Sequence, residues 1–261
     1  MPEGDTIHRA ARALRAALVG RTLRAFRVAR PCGPPPPIGA VTEGVETRGK
    51  HLDIAWDDGT VLHTHMRMSG AWHVYRTGER WRRPAAQARV VIGVDGFDAV
   101  CFNAPIVELY RGAASRRRDA VLGPDLCRAD ADIGDCVARL ALIRRPGTPI
   151  ADALLDQRVA CGVGNVYKSE ALWATRIHPL TPVEALPHEA RLTLLATAAD
   201  LLRANLDGGP RATVASGLAV YGRAGRPCRR CGSRVVSRRL GEHARATFWC
   251  PACQTVPPAG G

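Results

Sequence analysis

The segment Cys228-Arg229-Arg230-Cys231, followed eighteen residues later by Cys250-Pro251-Ala252-Cys253, decides the fold of the last part of the chain. Two Cys-x-x-Cys pairs at this separation have the ligand spacing of a structural zinc site with four thiolates. Such a site pins the residues between the pairs into a hairpin. The pattern therefore predicts one structural Zn²⁺ per chain, bound by Cys228, Cys231, Cys250 and Cys253.

The residues around this motif are strongly basic. Nine arginines and a single acid, Glu242, lie between Arg211 and Cys253, and the whole chain has a formal net charge of +13. This charge favours a polyanionic partner, and the aromatic content of 5% disfavours a single-strand binder that stacks bases. Duplex nucleic acid is therefore the predicted partner, although a GC-rich genome would also enrich arginine over lysine.

Length and composition limit the class of protein. A chain of 261 residues can form two domains and a small zinc module. No run approaches the roughly 20 apolar residues of a membrane span, and the first residues lack the apolar core of a signal peptide. We therefore expect a protein of the bacterial cytoplasm or nucleoid with no membrane contact. Because disulfides are rare in that compartment, the remaining cysteines are expected to be free, mostly buried thiols: Cys32, Cys101, Cys127, Cys136 and Cys161.

The order of elements predicts a multi-domain α+β protein. Residues 5–19 have helical spacing, with Asp5 or Thr6 as the cap. Short alternating runs then predict an antiparallel sandwich or barrel: 22–28, 51–56, 60–65, 72–75, 89–94 and 99–102. Helical spacing follows at 136–143, 150–159, 166–176 and 186–206. The predicted domains are a β-sandwich with a leading helix (1–118), a helical domain (119–215) and a zinc module (216–261).

The amino terminus, Met1-Pro2-Glu3-Gly4-Asp5-Thr6, suggests covalent chemistry. Removal of Met1 would leave Pro2 with a free secondary amine, and an α-amino group has a pKa of about 7.7–8.0, well below that of lysine. The positive end of the first helix also favours the neutral, nucleophilic amine. Such an amine can attack a sugar C1′ carbon to form an iminium, with Glu3 as the general acid. A solvated terminus is the alternative.

A second segment, Leu154 to Tyr167, predicts a helix, a Gly-x-Gly turn and a second helix that begins at Asn165. Glycines such as Gly164 let the backbone approach a ligand closely, and amides at a helix N-terminus bind phosphate. Asn165 stands at the predicted cap position. A packing unit without a ligand remains the alternative at this point.

Taken together and in order, seven segments resemble the formamidopyrimidine-DNA glycosylase / endonuclease VIII family of base-excision repair enzymes. They are Pro2–Asp5, Arg48–Leu52, His65–Gly70, Leu122–Leu126, Leu155–Tyr167, Tyr221–Arg223 and Arg245–Gln254. The resemblance implies a monomeric, bifunctional DNA glycosylase and AP lyase acting on damaged DNA. It also implies a helix–two-turn–helix in the helical domain, and strand nicking by β,δ-elimination through a Schiff base on the proline.

The resemblance assigns the catalytic roles in the first domain residue by residue. Pro2 matches the Schiff-base nucleophile and Glu3 the proton donor. Lys50 matches a lysine that contacts a phosphate near the lesion and assists β-elimination. Met68 matches the side chain that fills the gap left by a flipped base, with a core methionine as the alternative. Arg67 is a candidate contact to the opposite strand, or a solvated arginine.

The remaining roles fall in the second half of the chain. Asn165, next to Gly164, and Arg245 match the pair that grips the phosphates flanking the flipped nucleotide. Arg245 also matches the residue associated with δ-elimination. Glu170 matches a buried carboxylate that organises the amino terminus.

Three departures from the family pattern bear on the substrate and on DNA contacts. Members that excise 8-oxoguanine carry Asp-Pro-Arg-Arg-Phe where this chain has Asn103–Val107, without the Arg and Phe. Residues 208–220 are too few to cap a flipped purine, and both features favour the branch that removes oxidised pyrimidines. The arginine expected before Leu122 is also absent, so residues 116–118, all arginine, are candidate replacements unless that contact is lost.

Two other functions remain open at this stage. One is an 8-oxoguanine or formamidopyrimidine glycosylase. The other is a non-enzymatic zinc protein that binds damaged DNA, although such a binder would have no need of Pro2, Glu3 and Lys50.

Overall fold

A computed structural model of the chain describes residues 2–30, 33–111, 120–143, 145–241 and 244–256. The chain divides into two compact units, Met1–Val121 (unit 1) and Leu122–Gly261 (unit 2). The predicted boundary between 118 and 119 and the three candidate arginines at 116–118 lie outside the described residues. The further division of unit 2 at residue 215 stays a prediction.

Unit 1 is an antiparallel β-sandwich with a leading helix, α1 (Gly4–Leu18). Its strands are β1 (Leu23–Val28), β2 (Thr42–Arg48), β3 (His51–Trp56), β4 (Thr60–His65), β5 (Ala71–Arg76), β6 (Ala88–Val94), β7 (Phe97–Phe102) and β8 (Ile106–Arg111). They form two four-stranded sheets with the orders β1-β6-β7-β5 and β2-β3-β4-β8. The predicted fold class is confirmed for this part of the chain.

One apolar core joins both sheets and the helix. Alternate positions of β3, Leu52, Ile54 and Trp56, point into this core, as expected for a strand with one buried face. Helix α1 adds side chains spaced three to four residues apart, including Leu14 and Leu18. Residues on the opposite face of β3 are left for a polar site.

Helix α1 does not begin as predicted, because neither Asp5 nor Thr6 caps it. The N-cap is Glu3, whose carbonyl accepts hydrogen bonds from the amides of Thr6 and Ile7. The buried Asp5 carboxylate instead accepts from Arg9 at 3.2 Å. The helix therefore starts directly after Glu3, and Pro2 lies at its positive end.

Unit 2 contains four α-helices and a β-hairpin in the described residues. They are α2 (Ile133–Ala141), α3 (Ile150–Ala153), α4 (Asn165–Ala174), α5 (His188–Arg203), β9 (Val236–Leu240) and β10 (Arg245–Trp249). None of the described helices of either unit is long and apolar enough to cross a membrane.

The predicted helix over 150–159 is too long, since α3 ends at Ala153. Gln157 explains the difference. Its side-chain amide donates to the carbonyls of Leu155 at 3.0 Å and Val163 at 3.2 Å, and its Oε1 accepts from the Gly162 amide at 3.2 Å. Such side-chain bonds to the backbone compete with helical bonds. Two turns therefore replace the end of the helix and lead into α4.

Candidate functional site

Helix α1 and strand β2 run side by side in opposite directions. His8 Nε2 of the helix lies 3.1 Å from Thr47 Oγ1 of the strand. One to two turns later, Arg15 Nε donates to the carbonyl of Val45 at 2.6 Å. The start of α1 therefore lies at the end of β2.

This arrangement brings the amino terminus and Lys50 to the same end of unit 1. Pro2 lies two residues before the first residue of α1, Gly4, and Lys50 lies in the turn that follows the last residue of β2, Arg48. Glu3 is fully buried, whereas Pro2 and Lys50 are half-buried. The three residues that the sequence assigned to sugar chemistry thus converge on one end of the sandwich.

Lys50 is held by a two-residue turn between β2 and β3. Arg48 pairs with His51 across the turn, and Gly49 has a φ of 57°. Glycine adopts this left-handed conformation without steric cost, which is why tight hairpin turns favour it. The turn fixes the backbone of Lys50 at the end of the sheet where β2 ends and β3 begins.

Strand register brings two further segments to this end. His51 pairs with His65, and His65 pairs with Ile106. The start of β3, the end of β4 and the start of β8 therefore lie side by side. Three segments therefore lie at the same end of this sheet: the turn at Lys50, residues 66–70 and residues 103–105.

Residues 66–70 form a tight turn that presents Met68. A Cβ at Gly70 would lie 2.8 Å from Met66 Cα, so only glycine fits there. Arg67 has a φ of 43°, a conformation that non-glycine residues rarely adopt and that often marks functional sites. Met68 is 58% exposed, which excludes a core position, and Arg67 is also exposed. Their contacts to DNA stay a prediction.

The 103–105 segment packs onto that turn without an exposed wedge. Ser69 Oγ donates to the Asn103 carbonyl at 3.3 Å, and Asn103 Nδ2 donates to Gln87 Oε1 at 3.0 Å. Ala104 is fully buried. Asn103 is therefore fixed by its neighbours, and this segment adds neither a cation nor an aromatic ring to the site.

A histidine cluster beside Lys50 was not predicted from the sequence. His63 is buried, and its Nδ1 lies 2.6 Å from Asp53 Oδ1, while its Nε2 lies 3.4 Å from His51 Nδ1. The His51 ring meets His65 edge to face, with 4.7 Å between ring centroids. The alternation of side chains along the strands could have indicated this cluster, because it puts residues 51 and 53 of β3 and residues 63 and 65 of β4 on one face.

His65 is neutral at physiological pH. Burial lowers the pKa of His65 to about 4, and the positive charge of Lys50 adds to this effect. The Arg67 amide donates to His65 Nδ1 at 3.1 Å, which places the proton on Nε2. His65 therefore offers an N–H donor at the edge of the site without carrying a charge.

Unit 2 brings Asn165 next to the strand that begins with Arg245. Asn165 Nδ2 donates to the carbonyl of Ala246 at 2.5 Å, a bond that spans 81 residues of sequence. Gly164 is the N-cap of α4, and Asn165 is its first residue, so the expectation that Asn165 caps the helix was wrong. The reason is that its side chain is engaged by Ala246 and by Lys168, whose Nζ donates to Asn165 Oδ1 at 2.6 Å.

Arg245 lines a basic, open cavity of about 1120 Å³ within unit 2. The other cations of its wall are Arg139, Arg145 and Arg158. Part of this charge is offset, since Arg158 forms an ion pair with Asp156 at 2.7 Å. The surface next to Arg245 can hold an anion such as a phosphate.

Glu170 fixes the segment that follows α5. Its carboxylate accepts hydrogen bonds from the Thr213 hydroxyl and from the amides of Ala219 at 2.8 Å, Val220 at 2.9 Å and Tyr221 at 2.7 Å. Glu170 is fully buried, so these donors compensate a charge removed from water. Its expected part in organising the amino terminus stays a prediction.

The four cysteines of the paired motif form one cluster. Their sulfurs all lie within 4.8 Å of one another, with 4.0 Å between Cys228 and Cys253 and 3.5 Å between Cys231 and Cys250. Four thiolates about 2.3 Å from a tetrahedral zinc ion would be about 3.8 Å apart, so the geometry fits this ion. The cluster can therefore bind a metal.

The electrostatics of the cluster also favour a cation. Hydrogen bonds from Ser233 lower the pKa of Cys231 to about 6. Burial and the neighbouring sulfurs raise the pKa of Cys253 to about 12. Four sulfurs this close cannot all ionise unless a metal compensates their charge. Outside the cluster, the described cysteines are buried thiols that form no disulfide among the described residues, as predicted: Cys101, Cys127, Cys136 and Cys161. Cys32 lies outside the described residues.

Comparison with known families assigns both units. The model for the formamidopyrimidine-DNA glycosylase N-terminal domain matches residues 1–105, and that for the formamidopyrimidine-DNA glycosylase H2TH domain matches residues 122–215. The second match spans the two turns and α4, where the helix–two-turn–helix was expected.

Known proteins match over nearly the whole chain. A probable endonuclease 8 2 of Streptomyces coelicolor is 41% identical, over 98% of this chain and 95% of that protein. The DNA-(apurinic or apyrimidinic site) lyase Nei2 of Mycolicibacterium smegmatis is 40% identical, over 98% of this chain and 100% of that protein.

A solved structure supports the fold. The formamidopyrimidine-DNA glycosylase of Lactococcus lactis, bound to DNA with an AP site, superposes with a TM-score of 0.84 over 98% of this chain and 100% of that chain, at 22% identity. Together with the family models and the relatives, this places the protein: the chain belongs to the formamidopyrimidine-DNA glycosylase / endonuclease VIII family of DNA glycosylases and AP lyases.

Proposed function

We propose that this protein removes oxidised pyrimidines from damaged DNA, acts as a monomer and nicks the strand through a Schiff base on Pro2. The observation that carries the proposal is the opposite direction of α1 and β2, which supports a common location at one end of unit 1 for Pro2 and Glu3, at the start of α1, and Lys50, after the end of β2. Lys50 is distant in sequence from Pro2 and Glu3, and a common location of the three residues suits a single reaction centre.

The chemistry follows from the roles of these side chains. The neutral Pro2 nitrogen attacks C1′ of the damaged nucleoside, the bond from C1′ to the base breaks, and the base leaves with the proton that the Pro2 amine loses. Glu3 protonates the ring oxygen O4′, the bond from C1′ to O4′ breaks, and the nitrogen lone pair forms an iminium between Pro2 and C1′. Loss of a C2′ proton, assisted by Lys50, then expels the 3′ phosphate. Loss of a C4′ proton, aided by Arg245, expels the 5′ phosphate.

Phosphate binding is assigned to unit 2. Asn165 Nδ2 has two hydrogens, and Ala246 accepts one of them. The second can bind a phosphate oxygen, and Arg245, which begins the same strand as Ala246, adds a charge. Structural Zn²⁺ in the cysteine cluster would hold this strand in place, because metal binding and folding of such a module are coupled.

Two features of the structure support a preference for pyrimidines. Asn103 and Ala104 are fixed or buried and offer no wedge opposite a cytosine. The segment that would have to cover a purine is held at both ends, because Ala212 exchanges two hydrogen bonds with Asn205, at 2.9 Å each, and Glu170 binds residues 219–221. The higher identity to proteins named endonuclease 8 than to those named formamidopyrimidine-DNA glycosylase, 41% against 34%, points the same way.

Borohydride trapping on an abasic-site duplex tests the Schiff base. Protein whose first residue is shown by mass spectrometry to be Pro2 should form a covalent adduct. The matched control keeps an uncleaved extension before Pro2 and should bind the same duplex but form no adduct. Full trapping by the extended protein would remove Pro2 from the mechanism.

Single-turnover excision tests the substrate preference. A duplex with 5-hydroxyuracil should be processed at least about tenfold faster than one with 8-oxoguanine opposite cytosine, because a flipped purine would lack its cover. Equal rates would overturn the pyrimidine assignment and leave the lyase chemistry standing.

A further inference from the structure

Lys168 is a buried cation that the mechanism above does not use. It is 1% exposed, and its ammonium lies 2.6 Å from Asn165 Oδ1 and 2.8 Å from Thr247 Oγ1. Only two of the 37 basic residues of the chain are lysine. A buried amine is costly unless it is hydrogen-bonded, and one of these two oxygens belongs to a proposed phosphate ligand, Asn165.

We propose that Lys168 is a positioning residue of the phosphate-binding surface, which consists of Asn165 and Arg245. The proposal rests on the phosphate role assigned to these residues under the proposed function. Lys168 acts in two ways, by fixing the direction of the Asn165 amide and by placing a positive charge directly behind it.

The direction of the amide follows from what an ammonium can do. Lys168 Nζ only donates hydrogen bonds, so the side-chain oxygen of Asn165 must face it. The nitrogen then faces the Ala246 carbonyl, at 2.5 Å, which only accepts. One Nδ2 hydrogen is engaged there, and the other points away from both partners. Without the ammonium the amide can rotate and present its oxygen, which would repel a phosphate.

The charge acts through the same contact. The ammonium touches the amide that binds the phosphate, with little water between them, so its attraction is weakly screened. An arginine would not fill this role, because its planar fork is larger and directs five donors in a fixed pattern. This accounts for a lysine at this position in a chain that otherwise uses arginine.

Lys168 also connects two elements. Asn165 and Lys168 lie one turn apart on α4, whereas Thr247 and Ala246 belong to β10, and Thr247 is 1% exposed. The contacts of these four residues therefore set the distance between the start of α4 and Arg245. A purely structural lysine would do this as well, and the test must separate the two roles.

The test compares Lys168→Met and Lys168→Gln with wild type and with Ser169→Ala, all as full-length protein with measured zinc content. Ser169 is the matched control, because it is buried beside Lys168 and donates to the backbone carbonyl of Asn165 without a charge. The probe is a duplex with a tetrahydrofuran abasic analogue, and its dissociation constant is measured over a series of KCl concentrations. Thermal unfolding and borohydride trapping at saturating protein are recorded in parallel.

Both Lys168 variants should bind about tenfold or more weakly, and the slope of log K against log salt should fall by about one unit, as for loss of one phosphate-neutralising charge. Trapping at saturation should persist, and Lys168→Gln, whose side-chain amide can still donate to these buried oxygens, should unfold close to wild type. Ser169→Ala should leave the slope unchanged.

Two results would overturn the proposal. One is an unchanged slope and affinity in both Lys168 variants. The other is weaker binding with an unchanged slope and an earlier unfolding, which is the result of a structural role. Failure of the proposed function is recognised separately, since wild-type protein would then show no trapping and Asn165→Ala would bind like wild type.

Discussion

The surroundings of the two lysines of this chain differ in almost every respect. Lys50 is half-buried on a two-residue turn at one end of a sheet, and the pairing of Arg48 with His51 closes this turn. Lys168 is buried in the middle of unit 2 and contacts Thr247, 79 residues away. An amine that takes part in chemistry needs access to the sugar, whereas one that positions another group needs fixed partners. The structure gives each lysine the environment that suits its proposed task.

The two regions also depend on different supports. The Lys50 turn is supported by the hairpin of β2 and β3 and by the core beneath it. The surface around Lys168 needs α4 and β10 to be held together, and β10 is held by the cysteine cluster through Cys250. Trp173 at the other end of α4 donates to Cys228 at 3.3 Å, so the cluster fixes both ends of the helix.

The largest predicted effect is the loss of the surface around Lys168, while the turn at Lys50 stays intact. Cys250→Ser removes one of the four proposed ligands and should abolish stoichiometric zinc binding. Structural zinc supplies roughly 10–16 kcal/mol to the folding of such modules, so the hairpin should then lose its structure. DNA binding should then fall below detection, while unit 1 keeps its β-sheet signal in circular dichroism. Metal analysis and DNA titration check this, with Cys136→Ala as a control thiol of the same unit outside the cluster. Normal zinc content in Cys250→Ser would refute the assignment of this ligand.

The second prediction concerns the turn at Lys50. Lys50→Gln should slow nicking of a pre-formed abasic site about 100-fold or more, the usual size of a lost acid–base contribution. Affinity for the same duplex should change less than tenfold, since one phosphate contact is lost. Lys50→Arg keeps the charge and should restore the affinity but not the rate. Nicking at the wild-type rate by Lys50→Gln would show that Lys50 has no part in elimination.

The third and smallest effect sharpens the comparison within unit 2. Arg245→Ala should flatten the salt slope of binding by about one unit, because it removes a charge that neutralises a phosphate. Asn165→Ala should weaken binding with little change in slope, because it removes a neutral donor. Both are measured by titration at several salt concentrations. Equal slope changes would contradict this division between charge and hydrogen bond.

Most of the fold could be predicted from the sequence, and the two strands that were missed share a cause. β3 and β4 have the predicted bounds, because their apolar residues alternate across one buried face. β2 and β8 were not predicted, and both are edge strands of the same sheet. β2, Thr42–Arg48, has Thr42 and Val45 as its buried residues. A strand with so little buried surface leaves only a weak alternating pattern.

Candidate site residues could be predicted where a motif is local and not where contacts are long-range. Pro2, Glu3, Lys50 and the cysteine pairs follow from short stretches of sequence. The bond between Asn165 and Ala246 joins two elements 81 residues apart in sequence, and no spacing rule predicts it. The contact of Asp53 with His63 lies on a face that strand alternation indicates, but the alternation does not show which two strands pair. Residues of this second kind become visible only once the strands and helices are packed.

The burial of α4 has a consequence for the order in which parts of the chain can fold during translation. Thr247 and the donors to Glu170 in residues 213–221 are encoded about 40 to 80 positions after the helix. At about 5–20 residues per second, a ribosome needs several seconds to deliver them after α4 has emerged. Until then, Glu170 and Lys168 must stay in contact with water, and α4 cannot take its final place. The nascent chain can therefore close the sandwich during translation, whereas the helix that carries Asn165 has to wait for the hairpin.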